Sequence, residues 1–596
     1  MSARAVDLAR DRRAWYLAIP LALVVVCAFW PALDSGFVNW DDDKNFIQNP
    51  YFQGLGLAHL YWAWTAFWVG VYQPFAWMLL EVQYAIWNLT PWGYHLVSLF
   101  LHAVNSVVLY ALVLTLLARA LPELCEEHPT RAFVSAGIAS ALFAVHPLRT
   151  EVVAWASSQP YLPCAFFYFM ALLFYVRAFP ADRASVRRWF WISLLFFAGA
   201  LLSKAVAVSL PFTLLLLDYY PLRRIGWGAD RRFRSTPAAV WFEKIPFFLL
   251  SALFMLLAWA ARPHDALVPV TNPDGFWLVR LVRPAYGIWF YLGKTVWPFT
   301  LTAFYSLPKG TSPLELRFVT SLAGFIVVTV AAFRLRRSHP ALLVGWLSYC
   351  VILLPNLGIV SARGQLAADR YSYVAMVGPV SLVAGLLCAN RLWSRAKIAR
   401  SFALGATVAW LIGALIVLTR IQCRTWQSSE ALWTHALNHG GERVPEVQNS
   451  LGLSLMSLGR TEDARQHFLA AIGLEPGFGD AHNNLGSLFW RLGEFSEAKA
   501  QFVEAIRLKP EVASAHRNLG SSFVREGNIG SGIREYVEAV RLDPDGDGVA
   551  QLDDLLVIRR SAVTPRLIPL LRAVIANPRD QTALQALEDG LMKGDK

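Results

Sequence analysis

Apolar residues in this chain come in blocks about as long as a bilayer is thick. The runs lie near 14–33, 94–118, 132–146, 160–176, 189–220, 238–261, 318–333, 340–356, 373–389 and 402–419. A helix needs about 20 such residues to cross the hydrocarbon core. The blocks therefore predict a polytopic, all-α membrane domain. Hydrophobic residues make up 56% of the chain and charged residues 16%, against roughly 25% charged in soluble domains. A wholly water-soluble, disordered or collagen-like chain is excluded. The 24 tryptophans suit aromatic belts at many membrane crossings. Two further runs, 62–89 and 276–299, are broken by polar residues and prolines and read as interfacial or re-entrant.

Charge divides the chain. Residues 1–420 hold 35 Lys+Arg and 19 Asp+Glu, while residues 421–596 hold 19 and 23. The surplus belongs to the membrane half, where inward-facing basic loops explain it better than nucleic-acid binding. No nucleic-acid partner is expected. The basic loops are the N-terminus (Arg4, Arg10, Arg12, Arg13), 177–188, 223–234, 334–337 and 391–400. The first run follows Arg13 without a small-x-small cleavage site, so it reads as an uncleaved signal anchor with a cytoplasmic N-terminus. Keeping every basic loop inside splits 189–220 into two short spans turning at Ser203-Lys204. About eleven spans result, and everything after Arg420 lies on the outer face. The six cysteines are scattered with no CxxC pair. They suggest neither a disulfide framework nor a zinc site.

The C-terminal part repeats. Gly452, Gly486 and Gly520 are 34 residues apart, as are Gly459, Gly493 and Gly527, and Phe468, Phe502 and Tyr536. Ala471, Ala505, Ala539 and Ala573 keep the step, as do Pro476, Pro510, Pro544 and Pro578. This is the period of the tetratricopeptide (TPR) repeat, a helix-turn-helix unit stacked into a solenoid. The expected organisation is a membrane domain over 1–420 with a first outer loop at 34–93, then a connector helix at 421–444. TPR repeats follow at 445–478, 479–512 and 513–546, with a degenerate one at 547–580 and a cap helix at 581–596. Such arrays bind peptides or proteins without naming the partner.

Under this topology a set of polar groups converges on the outer side of the membrane. The first outer loop carries NWDDDKNFIQNP (39–50) with Asp41, Asp42 and Asp43 in a row. His95 opens a span. HPLRTE (146–151) closes one and supplies His146, Arg149 and Glu151. Lys204 sits at the hairpin apex, and RGQLAADRY (363–371) adds Arg363, Asp369, Arg370 and Tyr371. Each has a plainer reading. The aspartates suit a solvated loop, either histidine suits packing, Glu81 suits a nearby cation, and Asp369-Arg370 suits a structural ion pair. Lys204, alone in a long apolar stretch, is hardest to dismiss. A transporter would line a path through the midplane with such groups; here they gather at one surface.

A sugar carried on a polyprenyl phosphate would place its head group at that surface. Its leaving group is a lipid phosphate, which needs fixed cations. The acceptor hydroxyl needs a carboxylate as general base. No nucleotide is required, and no Gly-rich phosphate loop is present. Neither is a cofactor required; three adjacent loop carboxylates point only weakly to a divalent ion.

With these residues in place, the chain resembles the bacterial membrane TPR proteins of the GT-C glycosyltransferase superfamily, relatives of the transmembrane-and-TPR protein O-mannosyltransferases. The resemblance runs through FVNWDDDKNFIQNP, YQPFAW, GYHLVSLFLHAVN, LFAVHPLRTEVVAW, LLSKAVAVSLPFTLLLLDYYPL, EKIPFF, LPNLGIV, ADRYSY and the repeats. It implies a polyprenyl-phosphate sugar donor, single-displacement inversion and an acidic pair at Asp41 and Asp42. Asp41 is then the base and Asp42 a positioning group. Asp43 stands where relatives often carry another residue. Lys204, Arg370, Arg363 and Arg149 would face the donor phosphate, with His95, His146, Glu151, Asp369 and Tyr371 around them. Two departures stand out. SSQPY (157–161) stands where relatives often carry a charged cluster, and Ala205 follows Lys204 where relatives closer to the animal proteins have Glu.

The expected function is therefore transfer of a sugar to an acceptor hydroxyl, most simply a protein Ser/Thr held by the TPRs, at the periplasmic face of a bacterial inner membrane. The rival readings are a non-catalytic membrane-anchored TPR scaffold for envelope assembly and a lipid-glycan transporter.

Overall fold

The structure, a computed structural model, describes residues 8, 11–179, 183–225, 237–261, 276–306, 312, 314–357, 365–390, 398–558 and 563–592. The chain forms two compact units, Met1–Leu432 and Trp433–Lys596.

The first unit is a polytopic helical domain. Among the described residues, six helices are long and apolar enough to cross a membrane: Arg12–Asp34, Pro91–Ala120, Ala156–Ala178, Ala238–Ala260, Leu316–Arg337 and Ala403–Arg424. Two bent pairs, Pro129–Ala144 with Pro147–Ala154 and Asp369–Ala375 with Val377–Ala389, bring the count to eight. Ala205–Tyr219 and Pro340–Asn356 are shorter apolar helices. The expected eleven corresponds to adding these two and the helix Arg183–Ser203, whose first turns carry arginines. The runs at 62–89 and 276–299 form the helices Leu57–Thr65 and Pro74–Trp87 and the 21-residue helix Phe276–Val296 with Pro284 inside.

Breaks in these helices position the polar residues. Pro147 lacks an N–H and pushes the residue before it out of the helical region. His146 is accordingly extended, and the chain bends by 60° there. At the other hairpin Lys204 is extended (φ −164°, ψ 133°) between Ser203 and the 3₁₀ turn Ala205–Ser209. That break puts its ammonium at a helix junction. Close packing holds the frame elsewhere. A Cβ on Gly378 would lie 2.5 Å from the backbone oxygen of Gly345, so the helices bearing them touch backbone to backbone, as small residues permit in membranes.

The motifs LLLLDYYPL and EKIPFF meet in a buried ionic cluster. Lys244 and Asp218 are both fully buried and pair at 2.6 Å. Tyr175 donates to Asp218 at 2.7 Å. Arg224 reaches Asp218 at 3.0 Å and Glu243 at 2.6 Å. Charges inside a membrane domain persist when paired in this way. These motif residues join helices, and Tyr175, Asp218 and Lys244 spend their polar atoms on one another.

In the second unit the 34-residue spacing becomes helix pairs: Pro445–Ser457 with Thr461–Leu474, Gly479–Leu492 with Phe495–Leu508, and Ala513–Arg525 with Ile529–Leu542. A Cβ on Gly452, Gly486 or Gly520 would lie 2.7 Å from the ring of Phe468, Phe502 or Tyr536. Glycine and aromatic recur together because each pair closes on that contact. Gly459, Gly493 and Gly527 have φ of 77°, 82° and 83°, the left-handed turn that glycine supplies between helices. Sequence analysis missed a third repeated device. Gln448 faces His467, His482 faces Gln501, and His516 faces Glu535, each at 2.7 Å.

Helices Gly548–Ile558, Ile568–Ala576 and Gln581–Met592 follow. The first two lack the glycine–aromatic contact. They are held by leucine instead, with Leu552, Leu571, Leu584 and Leu587 buried against Val537 and Val540. The expected connector helix at 421–444 is not a single helix. The preceding helix runs on to Arg424, Ser429–Ala436 is a short helix, and Leu437–Gly441 is a wide turn.

Candidate active site

The chain leaving the first apolar helix is pinned at two neighbouring points. Gly36 N–H donates to the Gln427 carbonyl at 3.0 Å, and Asn39 N–H to Ser429 Oγ at 2.9 Å. The loop then docks on residues 155–157. Trp155 Nε1 donates to the Trp40 carbonyl at 2.8 Å, and Asn45 Nδ2 to Ser157 Oγ at 3.0 Å.

Asp42 is the centre of this dock. Its side chain is fully buried. Oδ2 accepts Val38 N–H at 2.9 Å. Oδ1 accepts Ser157 N–H at 2.9 Å and Ser157 Oγ–H at 2.5 Å. Burial pushes its carboxyl up to about 7, against the pull of these three donors. Asp43, whose carboxyl burial also raises, opens the wide turn Asp43–Ile47.

Asp41 has a different task. It adopts φ 69°, a left-handed conformation that Asp tolerates better than most residues but that still costs energy. The clamp on Asp42 enforces it. Among the described residues the Asp41 carboxylate makes no hydrogen bond, and its charge acts on the Lys204 ammonium. Of the three consecutive aspartates, the half-buried Asp41 is thus the one whose carboxylate stays uncommitted.

Lys204 is the cation on which this carboxylate acts, and Arg370 lies beyond it. Lys204 Nζ donates to Gln73 Oε1 at 3.4 Å and lies 4.8 Å above the Tyr161 ring. Both partners are neutral. Arg370 is held differently. Glu151 accepts its backbone N–H at 2.8 Å and pairs with its guanidinium. The same guanidinium lies 5.0 Å above the rings of Trp155 and of Tyr371. Tyr161 and Tyr371 have ring centroids 6.4 Å apart. They form an aromatic floor between Lys204 and Arg370, and the charge of Arg370 acts on Lys204 across it.

The remaining expected residues lie deeper. Arg149 is 1% exposed. Its guanidinium lies against the packed rings of Phe143 and Tyr373, at 5.0 and 5.5 Å from their centroids, and donates to Ser372 Oγ at 2.8 Å. His146 accepts Leu148 N–H at Nδ1, which leaves Nε2–H to donate to the Thr295 carbonyl at 3.0 Å. His95 is fully buried beside the backbone of Ser35, Gly36 and Val153. Asp369 accepts from Tyr305 Oη at 2.9 Å. Asp369 and Arg370 are therefore not a mutual ion pair: one 3₁₀ turn sends them to Tyr305 and Glu151. Glu81 is 3% exposed, its Oε1 makes no hydrogen bond among the described residues, and the charge of His59 acts on it. Arg363 lies outside the described residues.

Sequence reasoning missed three contributors: Ser157, Tyr161 and Gln73. The first two belong to SSQPY, noted only as a departure, and the third to the quoted YQPFAW. Their signal was position within a motif, since their side-chain types are common. Among the described residues no three His, Cys, Asp or Glu side chains converge as ligands of one metal ion would.

A tetratricopeptide-repeat family profile matches residues 449–498 and 483–547. The chain is 26% identical over 550 residues to protein O-mannosyl-transferase Tmtc1 of Drosophila melanogaster, covering 76% of this chain and 60% of that protein. It is 24% identical over 509 residues to human protein O-mannosyl-transferase TMTC3, covering 77% and 51%. The chain thus spans only about half to three fifths of the length of these relatives. Among solved structures, ArnT from Cupriavidus metallidurans bound to undecaprenyl phosphate aligns with 84% of this chain and 81% of its own, at TM-score 0.31 and 17% identity. MamA aligns with 28% of this chain and 90% of its own, at TM-score 0.21 and 18% identity. The chain is similar to the protein O-mannosyl-transferases Tmtc1 and TMTC3 over about three quarters of its own length.

Proposed function

We propose that the chain is a membrane glycosyltransferase that moves a sugar from a polyprenyl-phosphate donor to a hydroxyl of a protein acceptor at the outer face. The observation that carries this reading is the opposition of Asp41 and Lys204. One is a strained carboxylate with no hydrogen bond among the described residues. The other is an ammonium whose partners, Gln73 and the Tyr161 ring, are neutral. A base and an uncompensated cation are the two groups the transfer needs.

In this scheme Asp41 takes the acceptor hydroxyl proton. The acceptor oxygen bonds to the anomeric carbon as the bond from that carbon to the phosphate oxygen breaks, and the electron pair leaves on the lipid phosphate. Lys204 neutralises that charge. Arg370, already held by Glu151, sets the far wall of the site. Asp42 fixes the loop that aims Asp41. Arg149 supports the Asp369–Ser372 turn from below. The names of the relatives support a protein hydroxyl as acceptor, and the TPR unit gives a surface on which to hold one.

The test uses the purified full chain with labelled polyprenyl-phosphate sugars and hydroxyl-bearing peptides. Transfer by wild type that Asp41→Asn lacks supports the reading. Wild type that transfers no more than Asp41→Asn across donors and acceptors removes it.

A further inference from the structure

The TPR unit contains a groove of about 510 Å³ whose walls come from successive repeats. Trp490 and Arg491 lie on one side, Asn518, Ser521 and Arg525 on the first helix of the next pair, and Gln551 beyond. Two arginines line it, and no aspartate or glutamate does. The surrounding unit has the opposite balance: residues 433–596 hold 18 Lys+Arg and 22 Asp+Glu. Several cations elsewhere in the unit pair with carboxylates: Lys499 with Glu526, Arg507 with Glu504, Arg517 with Asp547 and Arg579 with Asp545. Among the described residues Arg491 and Arg525 do not. Arg491 donates to the Met456 carbonyl at 3.3 Å, and Arg525 lies 3.3 Å above the Phe495 ring. The arginines are thus held in place with their charges unmatched.

We propose that this groove binds an extended acidic peptide segment. Arg491 and Arg525 are 34 residues apart in sequence and so occupy the same register in adjacent repeats. An extended chain places alternate side chains on one face, roughly 7 Å apart. Two acidic residues spaced by two can then reach one arginine each through charge-assisted hydrogen bonds. Asn518 adds a main-chain contact. Its Nδ2 is spent on Asn483 Oδ1 at 3.0 Å and Ser487 Oγ at 3.2 Å, which leaves Oδ1 to accept a peptide N–H. The bound segment is the part of a protein that recruits it. The site is separate from the Asp41 centre and stands whether or not that centre transfers sugar.

The experiment is fluorescence anisotropy with the full chain in detergent micelles. The probes are an extended Glu-Ser-Glu-Ser-Glu peptide and its Gln-Ser-Gln-Ser-Gln counterpart. The acidic peptide binds at least about tenfold more tightly, weakens as salt rises, and loses that preference in R491Q/R525Q. Arg507→Gln, which removes an exposed paired arginine, and Asp41→Asn both leave binding unchanged. R491E/R525E reverses the preference toward a Lys-Ser-Lys-Ser-Lys peptide, a gain that misfolding cannot produce. Equal binding of acidic and neutral peptides by wild type, or an acidic preference that survives R491Q/R525Q, overturns the proposal.

Discussion

Ser157 gives both its backbone N–H and its hydroxyl to a single oxygen of Asp42, which lies 115 residues away in sequence. The pair joins the NWDDDKNFIQNP loop to the segment after HPLRTE, and it is why Asp41 stands where it does. Ser157→Ala removes one hydrogen bond to a buried carboxylate, worth about 1.5–3 kcal/mol. The expected result is a lower melting temperature and a fall in transfer through kcat more than through donor KM. Thermal melts and steady-state assays on the purified protein check both.

Asp41 and Asp42 are adjacent but their substitutions should separate. Asp41→Asn keeps the fold and lowers transfer by about a hundredfold or more, the usual worth of a general base. Asp42→Asn places an amide NH₂ against a donor, Val38 N–H or the Ser157 pair, and so unseats the loop. It lowers both stability and transfer. Equal melting temperatures for the two variants would contradict this division of labour.

Asp42 also sets a pH dependence. Burial raises its folded pKa to about 7, while an unfolded aspartate titrates near about 3.9. Between those values the folded state holds more protons than the unfolded one, so stability falls as pH rises. Its contribution is full below about pH 3.9 and is lost as pH rises through about 7, a span on the order of 4 kcal/mol. Wild type is expected to melt progressively lower from pH 5 to pH 8. Asp42→Asn has a flatter profile, so the gap between the two narrows as pH increases. Melting curves across that range decide it.

The two cations should answer differently to mutation. Lys204→Met removes a charge with neutral partners, so the protein stays folded and loses transfer. Lys204→Arg restores part of it. Glu151→Gln leaves the largely buried Arg370 without its counter-charge, and breaking such a pair costs about 3–5 kcal/mol. Its main effect is on the melting temperature. Comparing melts with transfer rates for these three variants tests the assignment.

In the TPR unit, Gly486→Ala pushes a methyl to 2.7 Å from Phe502 and 3.0 Å from the Ala498 carbonyl. Overpacking of this kind costs about 1–3 kcal/mol. Hydrogen exchange on the full chain should speed up within residues 479–512 and remain near the wild-type rate in Pro91–Ala120.

Much of this architecture is written locally and could be read from residues alone. Apolar length marks the helices, and a residue type returning every 34 positions marks the pairs, because a glycine that must meet an aromatic leaves a trace in sequence. Isolated charges such as Lys204 and Arg370 are legible for a similar reason, since lipid makes them expensive. What escaped depends on rotation and partner choice. Nothing in PLR (147–149) reveals that Arg149 turns inward onto Phe143 and Tyr373. Nothing in ADRY reveals that Arg370 selects Glu151 over its neighbour Asp369. Ser157 and Tyr161 were invisible as chemistry because serine and tyrosine serve in most proteins as ordinary surface or packing residues.

The bridges Gln448–His467, His482–Gln501 and His516–Glu535 each lie inside a single helix pair. Every pair therefore carries its own internal fastening, independent of its neighbours. A gene encoding such an array can gain or lose one whole module in a single duplication or deletion without severing any of these ties. Array length is then free to drift between homologues, while the membrane centre, whose contacts run between distant segments such as Asp42 and Ser157, admits no such editing.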